Sequence, residues 1–168
     1  MRMFRTLLFV GLWVLAGGAA FGQTVTSTYD EDYGLYKLGT YGFKVQVRSS
    51  SDPLAADTVM EKKVREALDD ALQLKGYYPP SDGVRPTFLV SFLATTRDKT
   101  REGGPGGDYV QGTLTVDFYD AETGNLIWRG IASGAVGAAA VDLKLAEERA
   151  KRAAEMLLEQ FGRDLLGL

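Results

Sequence analysis

Two hydrophobic periods take turns along this chain, and their order predicts the architecture. Across residues 23–51 the apolar positions come in short, strand-like runs: TVTSTYD, the tyrosine-rich DYGLYKLGTYGF, and KVQVRS, where Val45 and Val47 alternate with polar neighbours. SSSDP then supplies turn chemistry, with Asp52 ahead of Pro53. Beyond it the period changes. Met60, Val64, Ala67, Leu68, Ala71 and Leu74 recur at three- and four-residue spacings, with charged residues around the rest of the wheel, which predicts an amphipathic helix. Thr58 and Glu61 make a capping box at its start. Gly76 fits the left-handed C-cap, and Pro79 and Pro80 lack the donor needed to continue, so the next element is extended.

That element is TFLVSFLATT, residues 87–96, β-branched and aromatic and nearly apolar on both faces, as suits a central strand covered by helices on one side and partly on the other. RDKTREGGPGGD follows with six charges among twelve residues and predicts a mobile loop with a disordered tip. In GTLTVDFYDAETGNLIWRG, residues 112–130, two apolar runs face each other across DAETG. A type I turn at Glu122 and Thr123, with Gly124 at the left-handed bulge position, sets Ala121 against Asn125. Phe118 then opposes Trp128, Asp117 opposes Arg129 and Val116 opposes Gly130. Leu114, Val116, Phe118, Leu126 and Trp128 share one apolar face, and Gly130 is small because Trp128 and a helix crowd it. From Asp142 to about Phe161 a second helix shows Leu143, Ala146, Ala150, Ala153, Ala154, Leu157 and Phe161 on one stripe. Glu147 with Lys151 and Glu148 with Arg152 stand four apart in the favourable order.

Strands, helix, strand, hairpin, helix is the order of an α+β fold: a mixed or antiparallel sheet of about four to five strands with two helices packed on one face. The 168 residues, less a leader, suffice for one compact domain over residues 23–168. The leader is MRMFRTLLFVGLWVLAGGAAFGQ: two arginines, an apolar stretch from Leu7 to Leu15, then Ala20 and Gly22 ahead of Gln23. This is signal-peptide grammar with cleavage after Gly22, and the stretch is short for a bilayer span, so no stable membrane span is expected afterwards.

Charge and cysteine narrow the picture. Taking Arg2 and Arg5 from the 19 basic residues leaves 17 against 22 acidic ones, a net charge of −5, which argues against a nucleic-acid partner. There is no cysteine, so neither a disulfide framework nor a lipid-modified cysteine can form, and a periplasmic or secreted location is expected.

YKLGTYGF, the helix ending in LKGY, TFLVSF, GTLTVDFYDAETGNLIWRG and a helix ending in EMLLEQFG resemble, in order and spacing, the bacterial envelope proteins grouped as domain-of-unknown-function family 4136 (DUF4136), over residues 29–161. The resemblance implies a small exported α+β domain, often a lipoprotein, with no activity to carry over. GGAAFGQ departs from the lipoprotein habit because it has no cysteine. The element order is also similar to small envelope-assembly domains of the curli-secretion and lipopolysaccharide-transport kind, a likeness of fold only.

The residue inventory constrains chemistry. Without His or Cys the commonest general base, the thiol nucleophile and the usual zinc sets are missing, and no G-x-S-x-G elbow occurs. Asp30, Glu31 and Asp32 are consecutive and lack calcium-loop spacing, so they read as solvated acids. GGPGGD lacks GK[ST] and leads to a strand, so it is no phosphate cradle. Asp117 and Arg129 read first as an exposed cross-strand ion pair of roughly 0–1 kcal/mol. The expectation is a non-enzymatic exported domain, needing no cofactor or metal, that binds an envelope protein or glycan. Tyr33, Tyr36, Tyr41, Asp117 and Arg129 are the candidate contacts, because interfaces prefer amphipathic rings and because Asp117 and Arg129 stand opposite each other on the less apolar face. Two rivals stand beside it. One is a carboxylate-dependent hydrolase or glycan-binding protein built on Asp108, Asp117, Asp120 and the tyrosines. The other is a small-ligand carrier with a cavity between sheet and helices.

Overall fold

A computed structural model describes residues 23–44, 56–99, 108–137 and 142–167. The elements are β1 (Thr24–Tyr29), a 3-10 turn at Leu35–Lys37, β2 (Tyr41–Phe43), α1 (Thr58–Leu74), β3 (Phe88–Lys99), β4 (Tyr109–Asp120), β5 (Leu126–Gly137) and α2 (Leu143–Leu166). The expected α+β architecture is what forms: one five-stranded sheet in the order β1-β5-β4-β3-β2, with both helices on one face. All neighbours pair antiparallel except β2 and β3, which run parallel. TFLVSFLATT is accordingly an interior strand, lengthened through Arg97, Asp98 and Lys99, residues that the charge pattern places in the following loop. The tip of that loop, and Val45 and Val47 of KVQVRS, lie outside the described residues.

Both helices are capped by aspartate. Asp57, not Thr58, caps α1: its Oδ1 accepts from the backbone N–H groups of Val59 at 2.8 Å and Met60 at 3.1 Å, using donors that the first turn cannot satisfy internally. Asp142 serves α2 in the same way through Leu145 N–H at 3.0 Å. The buried stripe of α1 is Met60, Val64, Ala67, Leu68, Ala71 and Leu72. Leu74, assigned to that stripe, is 89% exposed, because Leu72 continues the i, i+4 row from Val64 and Leu68. On α2, Leu143 is likewise exposed and Leu158 joins Ala146, Ala153, Ala154, Leu157 and Phe161 inside. Glu147 bridges across to Lys63 of α1 at 3.0 Å, tying the two helices together.

The hairpin keeps its expected centre and changes its end. Phe118 faces Trp128, Asp117 faces Arg129 and Val116 faces Gly130. Asp120, however, closes the turn: its N–H donates to Asn125 O at 2.9 Å, while Ala121 N–H turns away to Thr87 O at 3.1 Å. Gly124 does adopt the left-handed conformation, with φ +75°. Tyr119 pairs with Leu126 and Phe118 with Trp128, so Ile127 is the extra residue of a bulge. The bulge reverses the alternation. Ile127 is buried and Leu126, expected in the core, is 40% exposed.

Phe118 is the hub of the core, with ring centroids of Trp128 and Phe161 at 5.0 Å and of Phe88 at 5.1 Å. These four rings are fully buried, each worth roughly 1.5–3 kcal/mol by area or more. They weld β3, β4, β5 and α2 together, and among the described residues no helix covers the far face of the sheet.

Candidate functional site

On that far face the register sets side chains in rows. Thr24, Ser133, Thr113 and Thr95 make a four-strand row of hydroxyls, with Thr113 Oγ1 and Ser133 Oγ 3.1 Å apart. The next row is Thr26, Ile131, Thr115 and Leu93, in which Ile131 is 37% and Leu93 41% exposed. Then come Thr28, Arg129, Asp117 and Ser91.

Asp117 holds the third row together. Arg129 donates to it twice, Nε to Oδ1 at 2.6 Å and Nη2 to Oδ2 at 2.7 Å, and Tyr119 Oη adds a third bond at 3.1 Å. The fork geometry matches a carboxylate bidentately. Asp117 is buried while the Arg129 side chain stays 42% exposed, so the pair is half sunk rather than the fully exposed pair expected. The bond to Asp117 raises the pKa of the Arg129 guanidinium. Burial, and next the charge of Asp117, raise that of the Tyr119 phenol. Lys44 follows β2 and reaches over β3 to place Nζ 3.9 Å from the centre of the Tyr119 ring, a cation–π contact.

The tyrosines divide. Tyr41 is 1% exposed and donates its hydroxyl to Asp69 Oδ1, so it is a core residue and not a partner contact: its place opposite Phe88 points it under the helices. Tyr33 and Tyr36 lie on the segment that passes from β1 to β2 around the hairpin end of the sheet. Tyr33 Oη donates to Asp120 Oδ2 at 2.8 Å, and burial first, then that bond, push its pKa up to about 12. Tyr36 is 80% exposed, with Lys37 Nζ 6.0 Å from its ring and 5.8 Å from that of Tyr33. Lys44 and Tyr119 were not singled out from the sequence. Tyr119 could have been found, standing two residues from Asp117 on the same strand face, whereas only the order of strands brings Lys44 to it.

The carboxylates do not assemble. Asp117 and Asp120 stand three apart on an alternating strand and project to opposite faces, and Asp108 precedes β4 at its other end, about 30 Å from Asp117 at ~3.3 Å per residue. Asp120 is spent on the hairpin, accepting from Thr123 N–H at 2.7 Å and Thr123 Oγ1 at 2.8 Å. Asp30 Oδ1 accepts from Asp32 N–H at 3.0 Å in a turn of its own. Among the described residues no group of three acids could hold a metal ion, and no helix is long and apolar enough to cross a membrane. Between the sheet and α2, beside Gln23, Ala132, Ala146 and Arg149, lies a cavity of about 30 Å³. That suits a water or so, against the ~300 Å³ a small-ligand site requires.

Solved structures share this fold. A PDZ domain protein from Parabacteroides distasonis superimposes with a TM-score of 0.59 at 12% identity, over 83% of this chain and 36% of its own, so the chain spans about a third of that protein. The PelC dodecamer from Paraburkholderia phytofirmans gives a TM-score of 0.50 at 14% identity, over 82% of this chain and 95% of that one. At such identities the likeness is one of fold. No curated protein matches the chain. The profile of DUF4136, described as a domain of unknown function, matches residues 25–161, and the chain belongs to that family.

Proposed function

We propose that this chain is a non-catalytic domain of the bacterial envelope that binds or scaffolds another envelope macromolecule through the open face of its sheet. One observation carries the reading: the aromatic core lies on one side, while the other side presents Ile131, Leu93, Tyr119 and the Asp117–Arg129 pair with no covering helix among the described residues. A bare, partly apolar sheet face with an embedded charged fork has the make-up of an interface. The leader-like residues 1–22 favour export, and a similar fold in PelC is found as a dodecamer, so this scaffold is compatible with assembly. Engagement of Asp117 by Arg129 and Tyr119 counts against its use as a hydrolase carboxylate.

A photo-crosslinking residue placed at Leu93 or Ile131, and at Glu155 on α2 as the comparison, tests this in the living envelope. Adducts are expected from the two sheet positions and not from Glu155. Equal adducts from all three, or none from the sheet, would overturn the assignment of the face.

A further inference from the structure

The open face carries a charge pattern opposite to that of the chain. Formal net charge is −3 over the whole sequence. Yet within the described strands the charged residues on this face are Arg129, Arg97 and Lys99 against the single carboxylate of Asp117, and Lys44 adds a further cation. The cations fall into two groups. Lys44 and Arg129 flank Tyr119 and Asp117 toward the hairpin end. Arg97 and Lys99 stand six or more residues further along β3, about 20 Å away at ~3.3 Å per residue. Between the groups lie the hydroxyl row of Thr24, Ser133, Thr113 and Thr95 and the mixed row of Thr26, Ile131, Thr115 and Leu93.

We infer that this face binds an acidic polysaccharide, a glycan bearing carboxylate or phosphate groups; the inference rests on the reading of the open face given above. Each part of the pattern meets a part of such a ligand. The hydroxyl row, with strands ~4.8 Å apart, offers donors and acceptors to sugar hydroxyls over a flat area. Ile131 and Leu93, each about 40% exposed, suit the C–H faces of pyranose rings. The separated cations suit acidic groups spaced along an extended chain. Arg129 keeps its outer edge available because Asp117 occupies only its Nε and one Nη2 bond. A membrane surface fits less well, since the cations stand in two separated groups with a hydroxyl row between them instead of gathering as one basic patch beside Ile131 and Leu93.

Calorimetric titration of the purified chain tests the inference with three probes: oligogalacturonate, maltooligosaccharide of the same length, and phosphatidylglycerol vesicles. Oligogalacturonate should bind, the neutral sugar at least tenfold more weakly, and binding should weaken as ionic strength rises past about 0.15 M, where screening acts over ~8 Å. Lys44→Ala and the pair Arg97→Ala with Lys99→Ala should each weaken it about tenfold with an unchanged circular-dichroism melt. Lys151→Ala with Arg152→Ala, removing the same charge from α2, should not. Equal binding of the neutral sugar, equal loss from the α2 pair, or binding of vesicles but not oligogalacturonate would each overturn it. Sheet-specific crosslinks at Ile131 alongside absent oligogalacturonate binding would dismiss the acidic glycan alone and leave the open face as an interface.

Discussion

Trp128 Nε1 donates a 2.7 Å hydrogen bond to Asp164 Oδ2, joining the middle of the sheet to the last turns of α2. The indole is completely buried against Phe118 and Phe161, so its one polar atom has no alternative in water. Gln160 Nε2 holds the other carboxylate oxygen at 2.7 Å and orients it.

Asp164→Ala is therefore expected to cost ~1–3 kcal/mol, the price of a buried donor left unpaired, while Asp164→Asn, which keeps an acceptor oxygen, should cost less. Trp128→Phe removes both the bond and packed volume and should cost at least as much as Asp164→Ala. Urea denaturation of the three variants checks the ranking. Equal stability of Asp164→Ala and the parent would show that the bond does not hold α2 down.

The Asp117–Arg129 pair should respond asymmetrically to truncation. Arg129→Ala leaves a nearly buried carboxylate with the Tyr119 hydroxyl alone and is expected to cost ~2–3 kcal/mol, whereas Asp117→Ala frees a half-exposed guanidinium that water can solvate, for about 1 kcal/mol. A double-mutant cycle measures the coupling. The reverse order of costs would mean the pair is held by Arg129 packing and not by the charge of Asp117.

Two glycines should resist substitution for different reasons. A Cβ on Gly130 would lie 2.7 Å from Leu157 Cδ2 and still closer to Trp128 Cη2, so Gly130→Ala overpacks the core and should cost ~1–3 kcal/mol. At Gly124 nothing lies within 4 Å of that position, but φ is +75°. Gly124→Ala should cost ~1 kcal/mol and Gly124→Asn less, because Asn tolerates the left-handed region. Thermal melts separate the two mechanisms: an Asn that rescues position 124 should be worse than Ala at position 130.

The Tyr33–Asp120 bond makes stability depend on pH at both extremes. Thr123 N–H, and after it the Tyr33 hydroxyl, hold the Asp120 carboxyl below its ordinary 3.8. Its contribution is full above about pH 4 and is lost as pH falls through the lowered value. Tyr33 is raised from 10.0 to about 12, so its contribution is full below pH 10 and fades between pH 10 and about 12. Tyr33→Phe should flatten part of the alkaline loss and bring the Asp120 titration, followed by carboxyl NMR, back toward 3.8. An unmoved Asp120 titration in that variant would show that the backbone donors alone set it.

Much of the fold was legible because its determinants are local. Alternation from Leu114 to Phe118, turn residues at DAETG and a crowded Gly130 suffice for the central hairpin register, and three-four spacing suffices for both helices. The Ile127 bulge was not legible: closing the turn at Asp120 instead of Ala121 depends on Ala121 N–H finding Thr87 O, 34 positions earlier in the chain. Leu126 and Ile127 exchanged places as a result. Tyr41 read as a surface ring for a similar reason, since its burial comes from pairing beside Phe88 and bonding to Asp69 on α1.

The linear pattern of residues determined the two amphipathic helices and the pairing of Asp117 with Arg129, which follow from spacings within one element or hairpin, the α+β class, which follows from the order of elements, and the absence of His and Cys chemistry, which follows from composition alone. Only the tertiary structure decided that β1 lies beside β5 and β2 beside β3, which face of the sheet the helices leave open, and that Lys44, Arg97, Tyr119 and Arg129 share it. Strand order is set by contacts between residues far apart in the chain. No local period records which of two sheet faces will be the drier.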